Sequence, residues 1–536
     1  MKIRLILGTS LAVIGLLAFS TSSIAQMTIV WSGAGDGSTF EDPANWVGGV
    51  VPGGMDTADI GTATVDINGG IPNNVSIIGS GGTTFDSGGV IEFQSNDNTF
   101  SGGTLVTNGT EIRLNAGGGT DHLGTGDITL DDGAYLKNRN TNVTIGNNII
   151  VGAGGGGIEV GWNNRNITVN GDISGTGELA IRDDSSRVQL SSATNSYTGG
   201  TEIIGTAWTM TDTLGTGDVT LNNVNGSRGH LKNWLGFAEH DNDIIVDNTN
   251  GGRLSAGWNN DLQLHGVVSG AGTLQIEGDS GTVVLDNAAN TFTGNIDLLG
   301  VNVGGDPAPS RITFNSLGSG SFAGVISGTN ASDVVTYAGS GPQVLIGNST
   351  YAGETIVSAG ELYIDGNNGT ATGDVDVLAG ATLGGSGTIG GATDIFGDVN
   401  AGNNSEDTLT FLAATTLDAA ATSTFEFGAL SAGNFDVLAN DGDLFTAGGT
   451  LNLADSGYYA GAAVNDTFLI LDGWSGFAGS FSTINGTDLG NNLVFDTSNL
   501  LVDGTVTVVS AVPEPSTLGL MALGLMGVGL RRRKRR

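Results

Sequence analysis

The first residues whose types suggest catalysis are two adjacent carboxylate pairs, Asp131-Asp132 and Asp183-Asp184. A glycosidase needs two carboxylates that face one sugar from two sides. Neighbouring residues of a strand point to opposite faces, so neither pair converges on a substrate unless a turn intervenes. The four histidines, His122, His230, His240 and His265, show no metal-ligand spacing, and surface or turn positions are expected for each. In "ANDGDLF", Asn440, Asp441 and Asp443 surround Gly442 with oxygen donors of the kind a calcium ion takes. That stretch lacks the twelve-residue loop with its closing Glu, and a plain turn is the simpler reading. "GAGGGG" (152–157) contains the spacing of a phosphate-cradling loop, but a strand rather than a helix follows it. No G-x-S-x-G elbow occurs, and the chain has no cysteine, which removes disulfides, thiolate nucleophiles and iron–sulfur sites. The chain is expected to be non-enzymatic and to need no cofactor. The alternative is a lyase or glycosidase that acts on polysaccharide from a β-helix scaffold.

The elements that would position such groups repeat. At an offset of about 95 residues, "LGTGDITL" (123–130) answers to "LGTGDVTL" (214–221), and "GDISGTGELAI" (171–181) answers to "GVVSGAGTLQI" (266–276). Leu136-Lys137-Asn138 likewise matches Leu231-Lys232-Asn233, and "GWNN" occurs at 161 and again at 257. A closing phrase recurs four times, as "NTFSGGTLV" (98–106), "NSYTGGTEI" (195–203), "NTFTGNIDL" (290–298) and "STYAGETIV" (349–357). Within the units apolar and polar residues alternate over four to six positions, the mark of strands with one buried face. Gly, Asn and Asp, which tolerate positive φ, stand between the runs.

Recurring residue types at fixed positions favour an all-β parallel β-helix, a solenoid whose coils of about 20 to 25 residues stack like on like. Phe100, Tyr197, Phe292 and Tyr351 should then point inward, each followed two residues later by a turn glycine. The phrase "SGTGELAIRDDSSRVQLSSATNSYTGGTEI" (174–203) resembles the autotransporter-associated, or passenger-associated, β-strand repeats of bacterial surface proteins. The resemblance covers roughly residues 96–400 and implies a parallel β-helix presented outside the cell; it carries no activity with it. Residues 26–95, with Trp31, Asn45-Trp46 and Pro52, are expected to cap the first coil. Residues 401–510 are expected to form the last coils and their cap.

Charge and the two ends supply the rest. Eight of the 18 basic residues lie in the tails, which leaves ten against 53 acidic residues between positions 26 and 511. A surface this acidic repels phosphate backbones and excludes nucleic acid as a partner. Residues 1–25 have the charged start, apolar stretch and small-x-small ending of a signal peptide, with cleavage expected between Ala25 and Gln26. Residues 511–536 resemble the PEP-CTERM sorting signal. Pro513-Glu514-Pro515 forms the signature, Leu518 to Leu530 the apolar segment, and Arg531, Arg532 and Arg533 open the basic stop. An apolar run this short suits a transient membrane anchor, with the arginines held on the cytoplasmic side. The resemblance implies recognition by an exosortase in a Gram-negative inner membrane, and a mature protein at the cell surface or in an exopolysaccharide, biofilm matrix. Autotransporters end in a β-barrel; this chain ends in a different delivery signal.

Overall fold

A computed structural model describes residues 27–53, 56–67, 75–93, 98–115, 122–139, 141–161, 165–183, 186–209, 214–224, 227–233, 237–249, 251–257, 260–279, 281–302, 305–315, 321–403 and 405–511. The alternating runs become short strands that pair in parallel with the strand one coil away, so the chain is an all-β parallel solenoid. Six long sheets make its sides. Sheet I runs from Val65–Asp66 to Ile173–Gly175, sheet II from Val90–Phe93 to Val268–Gly270, and sheet III from Val143–Ile145 to Ile326–Gly328. Sheet IV runs from Ala238–His240 to Gly476–Gly479, sheet V from Ser321–Phe322 to Thr483–Asn485, and sheet VI from Asn367–Asn368 to Leu471–Asp472. In-register stacking puts like residues in columns. Leu231, Leu254, Ile276 and Leu298 follow one another through the core of sheet III, each no more than 2% exposed. One such side chain contributes about 1.5–3 kcal/mol on burial, which is how a thin rod holds together without disulfides.

The four closing phrases have a single structural job. Each lies on the last strand of a sheet, where it ends the stack: on Ser76–Ile78, and on the final strands of sheets I, II and III. The leading side chain of the phrase accepts a backbone N–H of that strand. Ile77 donates to Asn98 Oδ1 at 2.8 Å, Ile173 to Asn195 Oδ1 at 2.6 Å, Val268 to Asn290 Oδ1 at 2.7 Å and Ile326 to Ser349 Oγ at 3.2 Å. The aromatic residue then turns into the core, and Phe100, Tyr197, Phe292 and Tyr351 are all buried. The two tyrosines satisfy their hydroxyls on a threonine four residues on, Thr201 and Thr355, at 2.6 Å each. At the glycine that follows there is no room for a side chain: a Cβ on Gly199 would lie 2.2 Å from the carbonyl carbon of Gly177 in the coil below.

The ends are closed differently. At the start, Asn45 knits the loop over the first coil by accepting from Gly35 and Gly37 and donating to Thr39 O. Trp46 donates from Nε1 to Phe40 O and packs edge-on against both Trp31 and Phe40, with ring centroids 4.9 Å apart in each pair. Pro52 beyond them is buried. The coil begins earlier than residue 96, because Thr28–Val30, Thr57–Asp59 and Ser76–Ile78 already form a parallel sheet. At the far end the pairing turns antiparallel among Thr467–Leu469, Thr505–Ser510, Leu493–Asp496 and Asp488–Gly490. Phe427, Phe468 and Phe495 pack together beneath that sheet.

Candidate functional site

Because inward positions are filled by the core, whatever this rod binds must meet its outward rows. In sheet V one row reads Thr382, Asp398, Thr422, Thr450, Thr483, and the next reads Asn400, Thr424, Asn452, Asn485. Asn485 Nδ2 donates to Asn452 Oδ1 at 2.9 Å, so neighbouring rungs also orient one another. In sheet IV the row is Thr313, Thr336, Ile356, Asp376, Asp394, Thr416, Thr446. Burial and the nearby Asp376 raise the Glu354 carboxyl on this face. Just past two register partners of the same sheet, Leu378 and Phe396 stand exposed at 39% and 41%. These faces offer hydroxyls, amides and carboxylates at the strand spacing of about 4.8 Å, with an apolar strip alongside.

Sheet II is built on charge. Glu92, Arg113, Lys137, Glu159 and Arg182 succeed one another along one outward row. Lys137 pairs with Glu159 and Arg139 with Glu92, and the Arg182 guanidinium lies 4.4 Å from the centroid of the Tyr135 ring. Opposite charges on facing rungs stabilise the stack modestly and neutralise the scarce basic residues locally.

A small cavity of about 60 Å³ lies against sheet V, lined by Tyr363, Asn400, Thr424, Glu426 and Asp436 among others. Asp436 is 1% exposed, and burial pushes its carboxyl up to about 7 even though two backbone N–H groups favour the charged form. Its Oδ2 accepts from Glu426 N at 2.8 Å and its Oδ1 from Asp407 N at 3.1 Å. The cavity is far smaller than the roughly 300–1,000 Å³ of a ligand pocket, and both carboxylate oxygens are committed to the backbone. It has no room for a sugar ring. Nothing in the sequence marks Asp436 out: it stands just after the excursion that Phe427 and Phe435 close, one residue before the strand Val437–Asn440.

Of the carboxylates singled out from sequence, that of Asp131 holds a turn. Asp131 Oδ1 accepts from Gly154 N at 2.7 Å and from Asp132 N at 2.9 Å, and Asp132 has φ +51°. The glycines of 152–157 wrap around that carboxylate and lead into the strand Gly156–Val160. Asp184 and the side chain of Asp183 lie outside the described residues. Asn440 Nδ2 donates to Phe411 O and Ala413 O at 3.0 and 3.1 Å, and its Oδ1 accepts from Asp443 N, while Asp441 and Asp443 are exposed. Among the described residues no group of three or more His, Asp or Glu side chains is placed to hold a metal ion.

The expectation of surface or turn histidines is corrected for His230 and His240, which lie on strands; His122 does stand in a turn, with its side chain buried. His122, His230 and His240 are buried, and only His265 is partly exposed, with Nδ1 3.1 Å from Asp286 Oδ2. Burial holds the His240 imidazole down at about 4, so it packs as a neutral ring. Ala25 and Gln26, and the tail residues Pro513, Glu514, Pro515, Arg531, Arg532 and Arg533, lie outside the described residues.

Comparison with known proteins adds two findings. Residues 511–534 match the PEP-CTERM protein-sorting motif, so the chain carries that motif at its C-terminus. The chain is also 44% identical over 97 residues to the adhesin BmaC autotransporter of Brucella suis biovar 1 (strain 1330). That match takes up 18% of this chain and 3% of the relative. Both similarities point to an exported protein of the cell surface.

Proposed function

We propose that this protein is a non-enzymatic rod of the bacterial surface or extracellular matrix, delivered through its C-terminal sorting motif and acting by adhesion. The observation that carries the reading is the union of a sorting motif at 511–534 with a parallel solenoid related in part to an adhesin. Export would remove residues 1–25, cutting between Ala25 and Gln26. An exosortase would then recognise Pro513-Glu514-Pro515 while the apolar run sits transiently in the inner membrane of a Gram-negative cell, with Arg531, Arg532 and Arg533 on its cytoplasmic side. The mature rod would meet exopolysaccharide or neighbouring cells through the Thr, Asn and Asp rows of sheets IV and V. Each contact is shallow, and repetition along the rod converts weak contacts into useful avidity.

The test is intact-mass analysis of the protein recovered from the envelope and medium of its host. Loss of residues 1–25 together with truncation near Pro513 supports the reading. A mature chain that still ends in Arg536 makes the tail a permanent anchor and removes the sorting step. The competing proposal is an enzyme acting on polysaccharide, for which the cavity beside Glu426 and Asp436 is too small to hold a sugar ring. Incubating the purified protein with acidic and neutral glycans decides between the two: release of products sinks the adhesive reading.

A further inference from the structure

The outward face of sheet III holds a charged group that the adhesive reading does not use. Lys232 and Glu277 have side chains only 1% exposed, and that of Asp279 is 11% exposed. Lys232 stands in register with Ser255 one coil on, and Glu277 follows the strand of the next coil, so the amine reaches along the rod across two rungs. Lys232 Nζ lies 2.6 Å from Asp279 Oδ2 and 3.4 Å from Glu277 Oε1. The first contact falls outside hydrogen-bonding geometry, and Asp279 Oδ2 accepts no hydrogen bond among the described residues. The second is a hydrogen bond. On its other side Glu277 Oε2 faces Arg253 Nη1 at 3.3 Å and His230 Nε2 at 3.6 Å, and that His230 nitrogen also shares a hydrogen bond with Ser255 Oγ at 2.8 Å.

The carboxyl is delivered by a fixed backbone. Gly278 donates to Val301 O at 3.0 Å, and a Cβ there would lie 2.0 Å from Ala308 O, so the excursion after Leu298 presses directly on the turn carrying Asp279. That excursion is tied back by Ser310, whose Oγ donates to Ile276 O at 2.8 Å.

We propose that Lys232 and Asp279 condense into an intramolecular amide cross-link, with Glu277 carrying the protons. The amine gives up a proton to Glu277 and attacks Asp279 Cγ, forming the Nζ–Cγ bond. The Cγ–Oδ2 bond then breaks. Two protons in all pass from nitrogen through Glu277 to the departing oxygen, which leaves as water, and Glu277 returns to its starting state. Charge balances, because an ammonium and a carboxylate become a neutral amide and water. No oxidant or cofactor enters.

Two physical arguments favour the reaction. Burying an ammonium and a carboxylate costs solvation that a neutral amide does not, and a site with almost no exposed surface disfavours hydrolysis of the product. Burial raises the Glu277 carboxyl, against the opposing pull of Lys232 and Arg253, and an acid so placed both accepts and returns a proton readily. The preceding unit of the repeat is an internal control. Its lysine, Lys137, is paired with Glu159, and Arg182 occupies the position that Glu277 has here. It has the amine without the proton carrier, so one cross-link per chain is expected.

The experiment is peptide mapping of the mature protein recovered from its host. The expected result is a branched peptide joining the Lys232 and Asp279 segments, lighter than the two linear peptides by one water, with no tryptic cleavage after Lys232. Lys232→Arg and Glu277→Gln should each give linear peptides of full mass, while circular dichroism reports an intact solenoid. Linear peptides from the folded wild-type protein overturn the proposal. So does water lost within a linear Asp279 peptide, which would be a cyclic imide. A cross-link that persists in Glu277→Gln overturns the role of Glu277.

Discussion

Replacing Asn98 with alanine tests the account of the closing phrase most directly. The side chain is fully buried and serves two coils: Oδ1 accepts from Ile77 N at 2.8 Å, and Nδ2 donates to His122 O at 2.6 Å. Asn98→Ala leaves both backbone groups without a partner in a place water does not reach. Each orphaned group costs about 1–3 kcal/mol, so the variant should lose about 2–4 kcal/mol after partial relaxation. In a solenoid the loss stays near the coil that suffers it, because each coil contacts only its neighbours. Amide hydrogen exchange is therefore the right assay. Exchange at Ile77 should accelerate by about 30-fold to 1,000-fold, at 1.4 kcal/mol per factor of ten. Exchange at Ile173, held by Asn195 and three coils beyond the Asn98 phrase, should not change. Unchanged protection at Ile77 in Asn98→Ala would refute the claim that this side chain closes the stack.

Three further outcomes follow from the same geometry. Gly199→Ala forces a methyl group into the backbone of the coil below and should cost about 1–3 kcal/mol or more, read as a lowered thermal midpoint. Asp436 has its folded carboxyl raised from 3.8 to about 7, so the folded state holds this proton more tightly than the unfolded chain. Its contribution to stability is complete below about pH 4 and is lost as pH rises through 7; Asp436→Asn should flatten that part of the curve of melting temperature against pH. Adding a strong chelator should leave the thermal midpoint unchanged, since the Asn440 amide is bound to backbone carbonyls; a fall would reinstate a calcium site at 440–443.

Period-two alternation and the recurring phrases made the parallel stack and the inward aromatics readable from the chain itself. Phe100 and Tyr197 could be assigned because a repeated aromatic before a glycine has few other uses in a coil. The role of Asn98 and Asn195 was not readable, because it depends on which strand lies underneath, and that is a matter of register between coils. The buried histidines escaped for a related reason. His240 stands at an inward strand position of sheet IV, but it is one polar residue in an otherwise apolar column, and sequence alone assigns it to the surface. Asp131 and Asp132 could not be separated into turn and strand until the backbone showed positive φ at Asp132. The Lys232 cluster draws on three coils, and no local pattern announces such a meeting.

The handover at each closing phrase bears on how the rod would fail under load. Among the described residues no sheet runs the whole length: sheet I stops at Gly175, sheet II at Gly270 and sheet III at Gly328, and each successor has started before its predecessor ends. In a rod pulled along its axis, hydrogen bonds along one face would otherwise peel in sequence, like a zip. Here a tear that travels along one face reaches a boundary where the next bonds belong to a different, already anchored face. The overlaps act as laps do in a spliced rope, stopping a crack instead of guiding it, and a pulling trace should show steps at these boundaries.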